Sequence, residues 1–539
     1  VSSESGPGRY RLPSVEDVAL RPVLERHAAS WPDEVFMTFP DGTTWTREQG
    51  VRQAYGAAHA LRAAGVHQGD RVAVMLGNGP DFFRAWWGVS FLGATMVPIN
   101  TAYRGTLLAH LLRLAAPGHV VSDAAGYAAL DALADRSVLP EVRLTPADLD
   151  APSGQPPELE RPPAIRDAAA LVMTSGTTGP SKLAPNSHLH LFLGGSWFTH
   201  ERSRGRADVF LVDLPLFHGA ALWLSTAALV SGVRLVVRSA PDLKNYWEVL
   251  RDSGATMAIL LSAMVPILLG QPARPVEREH RLRTMIASPP PPDIAAFSER
   301  LGLPEVWTGY GMTEVPAPLV YVAGDEMRPG YCGRQRPGFE CRLVDAYDIE
   351  VPEGQPGELI VRSEQPWMIA HEYVDNPEAT TQVWRNGWFH TGDMMRRDGE
   401  QYFFVDRAKD AMRRRGENIS SVELEAEIRT HASVAEVACV PHRPEGTVED
   451  EVKAWIVPAP GAEIDFDFAE LLRYCADRMA YFMVPRYFEL VDELPRTPSL
   501  RVKKFELRAR GNSPATWDRE AHGLRVTRAG LQPKAVAEA

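Results

Sequence analysis

The stretch MTSGTTGPSK at residues 173–182 follows the apolar run AALV at 169–172 and combines two glycines, three threonines, two serines and one lysine. A strand that ends in such a loop delivers backbone N–H groups. Glycine lets the backbone approach a ligand closely, and hydroxyls add further donors, which suits the phosphates of a nucleotide. The spacing is not that of the Walker A loop GxxxxGK[ST]: the lysine falls three residues after the second glycine, and no Ser or Thr follows it. Taken alone, the loop reads equally well as a glycine-rich turn. Lysine itself is scarce. Only Lys182, Lys244, Lys409, Lys453, Lys503, Lys504 and Lys534 occur among 57 basic residues, so each is worth inspecting for a role.

The elements around this loop alternate. VFLVDLP (209–215) reads as a strand, GAALWLSTAALVSG (219–232) as a buried helix, VRLVVRS (233–239) as a strand and PDLKNYWEVLRDSG (241–254) as a helix with a Gly stop. TMAILL, SAMVPILLG, RTMIAS, DIAAFSERLG and EVWT continue the series, and 46–122 shows the same alternation. Apolar strands separated by helices imply parallel sheets covered on both faces. Beyond 330, Gly, Pro and short alternating runs such as GELIVRS and QYFFVDR suggest a small antiparallel region. After Asp406 the helix SVELEAEIRTHA, the strands VAEVACVP and EVKAWIVP, the helix FAELLRYCADRM and the strand YFELVDEL form a compact α+β unit. The fold class is therefore α/β. A large N-terminal domain, 1–405, has parallel sheets flanked by helices plus a small antiparallel region, and a smaller α+β domain occupies 406–539. APSGQPPELERPP (151–163) reads as a loop or linker.

A chain of 539 residues is too long for one core. The net charge of −12 argues against a nucleic-acid surface. No apolar run reaches the roughly 18 residues that would span a bilayer. The N-terminus VSSESGPGRYRLPS lacks both an initiating Met and a signal-peptide core, and reads as trimmed. Cys332, Cys341, Cys439 and Cys475 show no CxxC spacing, as expected of reduced thiols in a cytoplasmic protein.

Four further stretches stand in order with the loop: LPLFHG (214–219), WTGYGMTE (307–314), WFHTGD (388–393) and VDRAKDAMRRRGENIS (405–420). With NTAYRG (100–105) and LPRTPS (494–499), they resemble the superfamily of adenylate-forming enzymes: acyl-CoA synthetases, peptide-synthetase adenylation domains and firefly-type luciferases. The likeness covers nearly the whole chain and is greatest to acyl-CoA ligases related to carnitine-CoA ligase. It implies a carboxylate attacking the α-phosphorus of ATP to give an acyl adenylate and pyrophosphate, followed by a thiol, usually that of CoA, displacing AMP. Such chemistry rests on positioning and charge neutralisation.

The resemblance also implies roles. Thr174, Ser175, Gly176, Thr177, Thr178 and Gly179 would wrap the β- and γ-phosphates, and Lys182 would add a point charge. Thr308, Gly309, Tyr310, Gly311, Met312 and Thr313 would surround the nucleotide, with Tyr310 stacked on adenine and Thr313 at the α-phosphate. Glu314 would hold Mg²⁺. Asp393 would accept both ribose hydroxyls, with Arg407 at the ribose or phosphates and Ser288 near adenine. His218, after Phe217 at a strand end, would lie beside the incoming carboxylate. Trp197, Phe217, Leu224, Trp307 and Met312 would line an acyl pocket, a set that also reads as plain core. Lys409 would mark the hinge of a mobile small domain whose other face shapes a CoA tunnel. The partners are small molecules, and a homodimer is compatible with this reading.

Two departures stand out. ASPPPP replaces the family's turn near adenine, and the family's PxTxSGK becomes PRTPSLR, which puts Arg501 where a catalytic lysine is usual. Three readings stay open: a carboxylic acid:CoA ligase; a diazotase-type relative activating nitrite for transfer to an aryl amine in secondary metabolism; and a non-catalytic binding protein, against which the intact motifs speak.

Overall fold

The computed structural model describes residues 10–533 apart from 175–180, 262–263, 289, 291–293, 304, 329, 408–411, 415–416, 420, 445–446, 448, 463–465, 496–501 and 503. Three sheets build the large part of the chain. A six-stranded sheet runs in the order Val142–Leu144, His119–Ser122, Arg71–Met75, Thr95–Pro98, Ala168–Thr174, Lys182–Ser187. It is parallel except for its last pair. A seven-stranded sheet runs Val306–Trp307, Thr284–Ser288, Met257–Leu261, Val209–Val212, Arg234–Val237, Val35–Thr38, Thr44–Thr46, again parallel until its last pair. The third sheet is antiparallel, with eight strands from Gly309–Met312 to Gln401–Arg407.

Helices His188–Thr199 and Gly219–Val230 are buried on nearly every side, which their all-round apolar sequences allow. Local chemistry sets other boundaries. Thr46 and Gln49 form a capping box that starts the helix Arg47–Ala63. Pro80 opens Pro80–Leu92, and Gly93 closes it at φ 75°. That helix buries Phe82, Phe83, Trp86 and Trp87.

Two expectations are corrected here. The helix read at 241–254 runs only over Tyr246–Ser253, because Asp242 accepts hydrogen bonds from the backbone and side chain of Asn245 and holds a turn instead. The antiparallel region is neither small nor confined beyond 330; it begins at Gly309. WTGYGMTE therefore crosses from the last parallel strand into the antiparallel sheet.

After Gln401–Arg407 the chain builds a four-stranded sheet in the order Val434–His442, Glu451–Pro458, Tyr487–Leu490, Trp517–Asp518. Helices Ser421–Ile428 and Phe468–Arg478 pack on it, and Leu524–Thr527 pairs with Gly530–Pro533 over the same core. Those last strands lie past the point where the sequence showed a pattern. No helix among the described residues is long and apolar enough to cross a membrane. All four cysteines are free and buried.

Candidate active site

The strands Ala168–Thr174 and Lys182–Ser187 pair with Thr174 opposite Lys182, so both ends of the loop are fixed side by side. Ser175, Gly176, Thr177, Thr178 and Gly179 lie outside the described residues. Thr174 Oγ1 donates to Glu314 Oε1 at 3.2 Å, and Tyr373 OH donates to the same oxygen at 2.5 Å. Lys182 Nζ sits 5.2 Å from the Tyr373 ring centroid. Glu314 is 3 % exposed, and its burial pushes the carboxyl pKa up. The donors Tyr373 and Thr174 and the Lys182 charge oppose that shift. Tyr373 was not anticipated: a lone tyrosine ahead of an Asn-Pro helix start carries no flag in sequence. Among the described residues no three His, Cys, Asp or Glu side chains converge on a metal site. A single buried carboxylate beside the ends of the 173–182 loop has the donor chemistry to fit Mg²⁺, an ion that takes most of its ligands from phosphates and water.

Gly309–Met312 and Val315–Val320 form a hairpin whose turn is Thr313–Glu314. Tyr310 OH donates to Asp393 Oδ2 at 2.7 Å. Burial, then the Asp393 carboxylate, holds the Tyr310 hydroxyl well above its usual pKa, so it remains a donor. Asp393 is buried on Trp388–Asp398, and the backbone of Arg407 lies opposite it in the neighbouring strand. Ser288 Oγ donates to Gly309 O at 2.9 Å, joining the end of a parallel strand to the hairpin. Beneath the turn, Asn186 Nδ2 donates to Thr313 O at 3.1 Å and Trp223 Nε1 donates to Asn186 Oδ1 at 2.8 Å, a support not read from sequence. Thr308 is fully buried behind the hairpin.

His218 is not at a strand end, as expected, but caps the helix Gly219–Val230, beyond the strand Val209–Val212. Its ring stands edge-on to Phe217 at 4.8 Å, and its Nε2 pairs with Glu417 Oε2. Two more small-domain carboxylates reach the large domain. Ser181 N–H donates to Glu423 Oε1 at 2.5 Å, and Thr106 Oγ1 donates to Glu427 Oε2. Burial pushes the Glu423 carboxyl up to about 7, against the pull of the Ser181 N–H and the Lys182 charge. Tyr103, partly buried, faces both Glu417 and Glu423, and its hydroxyl pKa is raised well above the usual value, by burial first and then by the two carboxylates. Glu417 lies within the RRGENIS stretch and Glu423 just beyond it, but neither was singled out from the sequence. Lys409 and Arg501 lie outside the described residues. Trp197, Leu224 and Trp307 sit together in the main core.

The sequence pattern of the AMP-binding enzyme matches residues 24–373, and that of the AMP-binding enzyme C-terminal domain matches 423–501. The chain belongs to the AMP-binding enzyme family. Crotonobetaine/carnitine–CoA ligase of Salmonella paratyphi A (strain ATCC 9150 / SARB42) is 31 % identical over 84 % of this chain and 90 % of its own. ATP-bound MatB from Rhodopseudomonas palustris is 26 % identical, with a TM-score of 0.65 over 92 % of this chain and 98 % of its own. The o-succinylbenzoate CoA synthetase of Bacillus subtilis gives two values. A double mutant of it, bound with the product analogue OSB-NCoA, scores 0.79 at 23 % identity, over 91 % of this chain and 98 % of that one. The same synthetase with AMP scores 0.65 at 22 % identity, over 90 % and 98 %. This chain is an enzyme of the acyl-CoA synthetase type. Nitrite activation gains no support from these relatives.

Proposed function

We propose that the protein activates a carboxylic acid with ATP and passes the acyl group to CoA. An acid oxygen bonds to the α-phosphorus as the bond to the bridging oxygen breaks, releasing pyrophosphate. The CoA thiolate then bonds to the acyl carbon, and AMP leaves with the electron pair of the acyl–oxygen bond. The observation that carries this reading is one antiparallel sheet, with the hairpin turn at its edge, holding two buried carboxylates in distinct settings. Glu314 sits beside the phosphate loop with Thr174 and Tyr373, and Asp393 faces Tyr310. Glu314 fits Mg²⁺, which when bound supplies charge neutralisation to the phosphates. Asp393 accepts the ribose hydroxyls, Tyr310 lies along adenine, and Thr313 and Lys182 meet the phosphates. His218 orients the acid. The cation at the α-phosphate is Arg501, since developing charge needs only a positioned positive group.

The division at 405/406 is part of the same reading: the small domain turns about Lys409 between the two steps. The three carboxylates docked on the large domain, and the higher likeness to the product-analogue complex, favour assigning the present arrangement to the second step. The cytoplasm is the expected compartment.

Pyrophosphate release tests this with Arg501→Ala and Arg501→Lys. Arg501→Ala should lose most adenylation yet still form thioester from supplied acyl adenylate, and Arg501→Lys should retain much of the activity. Wild-type adenylation in Arg501→Ala moves the role elsewhere. Pyrophosphate released with nitrite and an aryl amine, but with no acid, overturns the ligase reading.

A further inference from the structure

On the acid:CoA ligase reading, the acyl part of the acid would run against the helices His188–Thr199 and Gly219–Val230 and the strands Val306–Trp307 and Gly309–Met312. That space is filled by indole. Trp197 is 6 % exposed, and a Cβ added to Gly309 would lie 3.2 Å from its ring. Trp197 Nε1 donates to Gly194 O at 3.0 Å, one turn back on its own helix, which fixes the ring plane. Leu224, Trp307, Ala317 and Tyr321 close the surroundings as one contiguous cluster with it. Trp307 meets Tyr321 edge to face at 4.8 Å.

The walls have no slack. A Cβ on Gly194 would lie 2.4 Å from the Trp223 ring, and one on Gly195 would lie 2.4 Å from the Trp223 carbonyl oxygen, so the two helices touch backbone to side chain. Thr199 Oγ1, donating to Leu224 O at 3.1 Å, ties them again. Helices packed this closely cannot part to admit a long chain, so the depth of the space is set by the Trp197 ring.

We propose that the substrate is a short aliphatic acid and that Trp197 is the residue that limits its length. This rests on the acid:CoA ligase reading. An acid longer than the space admits should lose roughly 10–200-fold in kcat/KM for each methylene that finds no room.

The test measures pyrophosphate release with ATP, CoA and acetate, propionate, butyrate, hexanoate, octanoate or benzoate, for wild type, Trp197→Phe and Trp197→Ala. Wild type should prefer the acids up to butyrate and fall roughly tenfold or more by hexanoate. Trp197→Ala should move the preference to hexanoate or longer with the KM for ATP unchanged, and Trp197→Phe should move it part of the way. Should the alanine variant fail to fold, the milder phenylalanine variant carries the comparison by itself. Octanoate or benzoate turned over by wild type as well as propionate overturns the proposal. So do variants that lower kcat/KM by one common factor for every acid. In both cases pyrophosphate is still released and the ligase reading stands. Absence of pyrophosphate with every acid and every variant removes the ligase reading and this proposal with it.

Discussion

The side of the site proposed to take the nucleotide and the small-domain side are held by opposite means. On the nucleotide side, neutral hydroxyls of Thr174, Tyr373 and Tyr310 donate to carboxylates that belong to the same large domain. On the other side, Glu417, Glu423 and Glu427 bring charge across to His218, Ser181 N–H and Thr106. The first arrangement is preorganised, because its donors and its carboxylates all belong to one domain. The second strips water from carboxylates, a cost that pairing offsets to different degrees: Glu427 also holds Arg478 of its own domain, whereas Glu423 accepts from the Ser181 N–H. A surface built this way suits the proposal that the small domain docks for only one of the two steps.

The largest effect should come from the charge that the first arrangement protects. Glu314→Gln keeps the shape and the hydrogen-bond acceptor but removes the negative charge. Adenylation, read as pyrophosphate release, should fall by roughly 10²–10³-fold. Thioester formation from supplied acyl adenylate should change far less. Equal losses in both steps would mean that Glu314 is scaffold for the whole site rather than a group for the phosphates.

Asp393→Ala comes next. Removing an acceptor shared by two hydroxyls should weaken ATP binding by about 2–3 kcal/mol, measured by calorimetry on the folded variant. Tyr310→Phe separates this from a packing effect. Its hydroxyl now satisfies Asp393, so removing it frees the carboxylate for ribose while keeping the ring, and the loss should be the smaller of the two. A Tyr310→Phe loss as large as that of Asp393→Ala would place Asp393 in support of the tyrosine instead of the nucleotide.

How much of this was legible in the sequence follows from where partners sit along the chain. The loop at 173–182, the turn at 313–314 and Asp393 each fall within a short run whose residue types are unusual together, so they stood out. The alternation of apolar strands and helices over 209–307 was legible because each element declares its own burial. Tyr373 and Glu423 were not, since their partners lie 59 and 242 residues away and neither residue is odd in its own neighbourhood. Asn186 was hidden likewise: its job is defined only when Trp223 and Thr313 are brought to it. Trp197 was read as pocket or core without a choice between them, because the choice depends on how closely two helices approach.

The smallest effect, and the sharpest on the comparison, is the pH dependence of docking. Glu423 in the docked arrangement has its pKa raised to about 7 by burial, whereas an exposed glutamate titrates at about 4.3. The docked state therefore binds the proton more tightly, and docking is favoured as pH falls from about 7 toward that lower value. Above that window the carboxylate is charged in both states, and its full desolvation cost opposes docking. Energy transfer between one label on each domain should thus report more docked protein at pH 6 than at pH 8. Glu423→Gln carries no charge to desolvate and can still accept from the Ser181 N–H, so it should dock at pH 8 as wild type does at pH 6, with that part of the pH dependence gone. The groups facing Glu423 matter to the reading. Lys182 favours its charged form, and Tyr103 is a partly buried neutral neighbour whose hydroxyl pKa is raised. Asp213 supplies the control, because burial pushes it up to about 7 as well, yet it lies inside the large domain. Its titration should move thermal stability and leave the transfer signal alone. If Glu423→Gln docks with the same pH profile as wild type, the small domain is held by something other than this carboxylate, and the contrast between the two sides of the site loses its physical basis.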